Sequence, residues 1–239
     1  MEKPTSLTDK VSDETWEALN LSWQKQLQQP QRPSAYRIQK FQNEARLHWS
    51  RFYHRNQDRF FKDRQWTHRE CPELLQPNIH VLEIGCGAGN FLWPILEKNP
   101  SIQRLYACDF ASTAVDVVKA HPNYTKDGVV QVFVADMTSD SLAPDPVPLH
   151  SVDIVTLLFV LSAIRPMYFE KVMATVKETL KPGGMVFFRD YAVLDHTQLR
   201  FKSDQIIEEN MYLRTDGTMS YFFSEGRCLP LVRDRDCMH

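Results

Sequence analysis

Three glycines, Gly85, Gly87 and Gly89, follow the apolar run IHVLEI and precede NFLWPILEKN. Such a turn lets the main chain fold tightly and lie against a ligand that side chains would hold away. A dinucleotide turn needs a glycine three residues after the second one; that place is Asn90, which counts against NAD. Glu83 puts an acid where dinucleotide folds carry an apolar side chain, and it suits a positively charged ligand group such as a sulfonium or an α-amino group. Asp109 comes 20 residues after Gly89, where a carboxylate can accept from both hydroxyls of a ribose. Asp136 ends the next apolar run, and together with the Met137 N–H it can read an adenine. Taken singly, the glycines could be a plain strand–helix turn, and either aspartate a helix N-cap or a solvated loop acid. In sequence they describe a site for a nucleoside that carries a cation.

A second group of residues could serve an acceptor. Residues 46–69 hold seven Lys/Arg against two Asp, interleaved with Trp49, Phe52, Tyr53, Phe60, Phe61 and Trp66. Cations with flat rings between them suit a phosphate backbone and unpaired bases, with Arg55, Arg59 and Lys62 on phosphate. An amphipathic helix that packs its aromatics inward and solvates its basic face explains the same pattern, and both readings can hold on opposite faces. The stretch LLFVLSAIRP (157–166) contains no [DN]PP[YF] segment, the motif that handles exocyclic amines of bases in many enzymes.

The elements that must position these residues alternate. Strands are expected over 79–85, 104–110, 129–137, the start of 151–164 and 185–191. Helices are expected over 90–99, 112–121 with Ser112 as N-cap, and 167–180, with a KPGG turn at 181–184. Strand–helix alternation with apolar strands specifies an α/β fold, a parallel sheet with helices on both faces. Four segments are expected: a flexible polar arm at 1–35 with one short helix near 16–27, a basic-aromatic region at 36–78 that covers cofactor and binds RNA, the catalytic domain at 79–224, and an atypical tail at 225–239.

Composition narrows the class. The net charge of −2 puts no global field on the chain, so any attraction to nucleic acid must be local. Cys71, Cys86, Cys108, Cys228 and Cys237 form no CxxC pair, which gives no reason to expect a metal and suits a reducing compartment. No apolar run is long enough to span a bilayer, and the polar start is no secretory signal, so a soluble cytoplasmic protein, in the nucleus as well, is expected.

FFKDRQW (60–66), IGCGAGN (84–90), CDF (108–110), FVLSAI (159–164), LKPGGMV (180–186), FRDY (188–191), LRFK (199–202) and DGTMSYFF (216–223) resemble the eukaryotic tRNA N3-methylcytidine methyltransferases. The resemblance implies a class I S-adenosylmethionine-dependent (Rossmann-like) fold and methyl transfer to cytosine 32 of tRNA anticodon loops. It implies serine, threonine or arginine tRNAs as substrates, with an aminoacyl-tRNA synthetase such as seryl-tRNA synthetase as a helper in some members. By matched position, Trp49, Tyr53, Gly85, Asp109, Asp136 and Leu158 look like cofactor contacts. Asp190 is then the candidate to stabilise the cation that forms on the methylated ring, with a structural salt bridge to Arg189 or Arg64 as the alternative. Phe61 and Tyr191 are candidates to stack on the base, and Lys62, Arg64 and Arg189 to hold phosphate or orient Asp190. After residue 224 the family continues with a helix and two strands, whereas EGRCLPLVRDRDCMH has neither pattern. The last strands of the sheet are therefore expected to be missing, leaving FRDY at an exposed edge. A methyltransferase for a small molecule or protein, and a truncated non-catalytic form, remain as alternatives.

Overall fold

The computed structural model describes residues 12–28, 32–224 and 226. Three helices precede the sheet: α1 (Asp13–Gln28), α2 (Ala35–Asn43) and α3 (Ala45–Asn56), with the short α4 (Thr67–Glu70) after them. Then β1 (His80–Ile84), α5 (Leu92–Lys98), β2 (Arg104–Asp109), α6 (Ser112–Lys119), β3 (Val130–Val134), β4 (Val152–Leu158), α7 (Phe169–Thr179) and β5 (Leu180–Arg189) alternate. The five strands pair in parallel in the order β3-β2-β1-β4-β5. The order reverses beside β1, whose neighbours are β2 on one side and β4 on the other. At such a switch point the strand ends leave a crevice for a ligand.

Strand periodicity divides the core. On one face Leu82, Ile84, Val155 and Leu157 pack on Phe169, Val172 and Val176 of α7. On the other, Val81, Leu105, Ala107 and Ile154 pack on Phe91, Ile95, Val115 and Val118. Both faces are covered, so the strands are apolar nearly throughout. Pro94 lies in the first turn of α5, where its missing N–H has no helical partner to lose. The residue before α6 is Ala111, so Ser112 is the first helical residue and not the cap expected for it. The basic-aromatic region opens with α2 and α3, which are separated at Glu44.

Beyond β5 the chain forms a second, antiparallel sheet of β6 (Ile206–Glu208), β7 (Met211–Leu213) and β8 (Met219–Tyr221). These strands have three residues each, too short for alternation to announce them. Met211, Leu213, Met219, Tyr221 and Phe223 join the α7 face of the core, while Ile206, Tyr212 and Phe222 pack on Phe201. Among the described residues no strand pairs with the outer edge of β5.

The short helix expected near 16–27 is present as α1, but it is docked on the rest of the chain and not part of a flexible arm. Trp16 and Trp23 of α1 are buried against Leu199, and the Trp23 indole donates to the Tyr212 hydroxyl at 3.1 Å. The polar composition concealed two tryptophans seven residues apart, two helical turns on one face. Residues 1–11 and 29–31 of the arm, and all of the 225–239 tail but Gly226, lie outside the described residues.

A lone helix of this length is marginal in water, so α1 depends on that contact. Trp23→Ala removes about 3–5 kcal/mol of packing together with the hydrogen bond. Far-UV circular dichroism should lose helix, and limited proteolysis should cut within 13–28 while the sheet stays intact. An unchanged cleavage pattern would mean that another contact holds α1.

Candidate cofactor cleft and acceptor chamber

At the switch point the Asp109 carboxylate accepts from two main-chain donors, Gly87 N at 3.0 Å and Ala111 N at 2.9 Å. These bonds fix the glycine turn to the end of β2. Gly85 and Gly87 have φ of +67° and +53°. A Cβ on Gly85 would collide with the Val160 side chain, and one on Gly87 would meet the Tyr53 hydroxyl at 2.5 Å. Both sites therefore require glycine for conformation and for space.

Above the turn lies a cleft of 490 Å³. Gly85, Cys108, Asp109, Phe110, Asp136 and Met137 form its floor and end, and Trp49, Tyr53 and Arg46 of α3 its roof. Asp136 accepts from the Thr138 N–H at 3.0 Å and from Arg46 at 3.3 Å, which ties α3 to the tip of β3. The pieces fit S-adenosylmethionine: a carboxylate for a ribose, the Phe110 ring for an adenine face, and acids facing a cation. Glu83 is a further acid, buried behind the cleft wall. It is 2% exposed, and its Oε2 has no hydrogen-bond partner. Burial raises its pKa to about 8, although the Arg64 guanidinium pulls the other way. Burial likewise pushes Asp109 up to about 6 against the pull of its backbone donors, and raises the Tyr53 hydroxyl well above its ordinary value.

A second cavity of 290 Å³ adjoins the first, and the two share Trp49, Tyr53, Gly85, Phe159, Ala163 and Met219. Its walls include Phe61, Lys62, Arg64, Gly87, Asn90, Leu158, Tyr191, Arg214 and Ser220. Arg64 reaches in from the loop before α4 and donates to the Leu158 carbonyl at 3.0 Å. Its guanidinium lies 5.5 Å from the Phe159 ring centroid, and that of Arg214 lies 5.5 Å from Tyr191. Phe159 and Tyr191 are 5.1 Å apart and tilted by 54°. Phe159 has φ of +60°, an uncommon conformation for a bulky residue, held by its N–H bond to the Arg189 carbonyl at 2.8 Å.

Trp49, Tyr53 and Gly85 line both cavities, and Asp109, Asp136 and Met137 line the cleft. Gly87 and Leu158 face the acceptor chamber, while Glu83 lies beneath the turn and lines neither cavity. Phe61, Lys62, Arg64 and Tyr191 converge on the chamber. Arg55 and Arg59 are exposed at the end of α3 and just beyond it, outside both cavities. Two placements correct the sequence reading. Arg189 lines neither cavity; it pairs with Glu70 and stacks 4.4 Å from the Trp66 centroid. Asp190 stands behind the chamber wall, with its oxygens on Ser162 N and Tyr191 N, each at 2.9 Å. Burial raises its pKa to about 6 despite these bonds. It positions Tyr191 and the Leu161–Ala163 turn, and it is in no ion pair with Arg189. Phe159, though inside the quoted FVLSAI, gave no chemical signal of its own. Arg46 was hidden among seven cations, and Arg214 directly follows β7, in the β7–β8 connection of the sheet that sequence did not reveal.

A raised carboxyl pKa means that the folded chain binds the proton more tightly than the unfolded one. Stability should therefore fall as pH rises from the ordinary Glu83 value of 4.5 towards 8, with Asp109 and Asp190 adding to the loss up to about 6. A cationic ligand favours ionised Glu83, so cofactor binding at pH 7 should release protons and tighten as pH rises. Calorimetry in two buffers of different ionisation heat measures this, and Glu83→Gln should abolish it. Binding heats independent of buffer would separate Glu83 from the cofactor.

A profile described as Methyltransferase domain matches residues 82–186. The structure is similar in fold to a Haloferax volcanii methyltransferase solved with the Trm112 methyltransferase activator, with a TM-score of 0.55, 19% identity, and 78% of this chain and 74% of that one covered. The tRNA N(3)-cytidine methyltransferase METTL6 of Rattus norvegicus is 48% identical over 198 residues, covering 80% of this chain and 68% of the relative. The human METTL6 is 45% identical over 207 residues, 84% of this chain and 72% of the relative. The tRNA(Thr) (cytosine(32)-N(3))-methyltransferase of Saccharomyces cerevisiae is 44% identical over 195 residues, 78% of this chain and 31% of the relative. With relatives of this identity matched over about four fifths of its length, the chain belongs to the tRNA N(3)-cytidine methyltransferase family.

Proposed function

We propose that this chain methylates N3 of cytosine 32 in the anticodon loop of serine, threonine or arginine tRNAs, in the cytoplasm and the nucleus. Seryl-tRNA synthetase is the helper that presents the serine substrates. The cofactor is S-adenosylmethionine, which when bound supplies an electrophilic methyl group on a cationic sulfur. The observation that carries the reading is the acceptor chamber: aromatic and cationic walls, open to the cofactor cleft along Gly85 and Phe159.

The residues suit that acceptor. Neutral cytosine offers an in-plane lone pair at N3 once it is unpaired, so no general base has to act first. Phe159 and Tyr191 give a flat base two ring surfaces, and the same rings stabilise the cation that develops on it. Among the described residues no carboxylate lines the chamber, and Asp190 serves the reaction by holding Tyr191 in place. Lys62, Arg64 and Arg214 attract flanking phosphates.

Incubation with labelled cofactor and total tRNA, followed by nucleoside analysis, tests the reading. N3-methylcytidine is the expected product; label in another nucleoside, or in none, would overturn it. Outside the chamber, Arg55 and Arg59 extend the cationic surface. Replacing Arg55, Arg59 and Lys62 by Gln should weaken tRNA binding and reduce the slope of log affinity against log salt by about 2 to 3. An unchanged slope would place the RNA surface elsewhere.

A further inference from the structure

Asn90 replaces the third glycine of a dinucleotide turn, and the structure gives it a different task. It is 8% exposed and directly follows Gly89. Its side-chain amide donates to the Phe61 carbonyl at 3.1 Å and to Asp63 Oδ1 at 3.2 Å. Its own carbonyl accepts from Arg64 N at 2.7 Å. One residue of the glycine turn therefore grips three positions, Phe61, Asp63 and Arg64, of the loop that carries Phe61, Lys62 and Arg64 into the acceptor chamber. At the other end, the same turn is braced by the Gly87 bond to Asp109.

We propose that Asn90 is a positioning residue that couples cofactor binding to the acceptor loop. A nucleoside held on Asp109 steadies the turn; the turn, through Asn90, steadies the loop, and the chamber walls are held more firmly when the cleft is filled. The grip has a definite polarity. Phe61 O and Asp63 Oδ1 are both acceptors, so only a donor satisfies them, and a carboxylate of the same shape is repelled by both. Asn90→Asp therefore breaks the coupling while leaving the fold of the turn to the glycines and Asp109. The consequence for turnover rests on the tRNA reading above; the coupling itself does not.

Hydrogen exchange of the full chain, with and without S-adenosylhomocysteine, reads the coupling without RNA. In the unaltered protein the ligand should slow exchange in both the 85–90 turn and the 60–66 loop, by roughly 10-fold each. In Asn90→Asp the turn should still be slowed, and the loop by less than about 2-fold. A merely structural role would lower loop protection equally with and without ligand. Asp63→Ala removes one of the two amide acceptors and should give an intermediate loop response; it decides the matter if Asn90→Asp does not fold. Loop protection that responds to ligand in these variants as in the unaltered chain would overturn the proposal. With tRNA, Asn90→Asp should turn over about 10-fold more slowly at saturating cofactor, with cofactor affinity within about 2-fold. A normal rate would overturn the proposal as well. Failure of the unaltered protein to form N3-methylcytidine would sink the tRNA reading and leave the exchange result to decide the coupling.

Discussion

One buried carboxylate at the end of β2 sets the geometry of the whole site. Asp109 accepts from Gly87 N on one side and from Ala111 N on the other. The first bond closes the glycine turn; the second places the start of α6. Because the turn follows β1 at the sheet's reversal point, its position decides where the cofactor cleft ends and where the acceptor chamber begins. The Tyr53 hydroxyl packs in the space a Cβ on Gly87 would need, so α3 is seated by the same turn. Each neighbouring part of the site is thus referred to a single backbone arrangement.

Charge is sorted across that arrangement. Glu83, Asp109 and Asp136 lie beneath or along the cofactor side, while Lys62, Arg64 and Arg214 line the acceptor side. At the boundary Arg64 is largely desolvated, which lowers its pKa, with Glu83 and Tyr53 pulling it back up. An arginine stays charged under such a load. The chamber's cations draw a polyanionic substrate, whereas the cofactor cleft sets Asp109 and Asp136 against Arg46 and Arg165, and charge that arises on the base meets rings instead of a carboxylate. The exposed Phe60 ring, edge-on to Phe52 and Phe61, continues the aromatic series from the chamber to the surface.

The parallel sheet was legible because its strands are apolar and bounded by turn signals, although KPGG, expected as a turn at 181–184, lies within β5, where the pairing with β4 shifts register between Val152 and Ile154. The glycine turn was legible because glycine spacing at a strand end has few other uses. Asp109 and Asp136 could be placed by counting, since strand ends fix where side chains emerge. Asp190 shows the limit. FRDY identifies its strand end, but whether the carboxylate faces a substrate or a backbone N–H depends on the Leu161–Ala163 turn, distant in sequence. The antiparallel sheet failed for the opposite reason: its strands are too brief to carry a period, and long-range contacts with Phe169 and Phe201 hold them. Trp16 and Trp23 are a further case, where two large side chains outweigh a polar background.

The central claim is that the glycine turn brings a cofactor's methyl-bearing atom to the wall shared by the two cavities. A crystal structure with S-adenosylhomocysteine tests it directly. The account requires the sulfur to lie over Gly85, facing the chamber of Arg64 and Tyr191, with the ribose hydroxyls on Asp109. A ligand whose sulfur points away from that chamber, or whose ribose lies off Asp109, would contradict it.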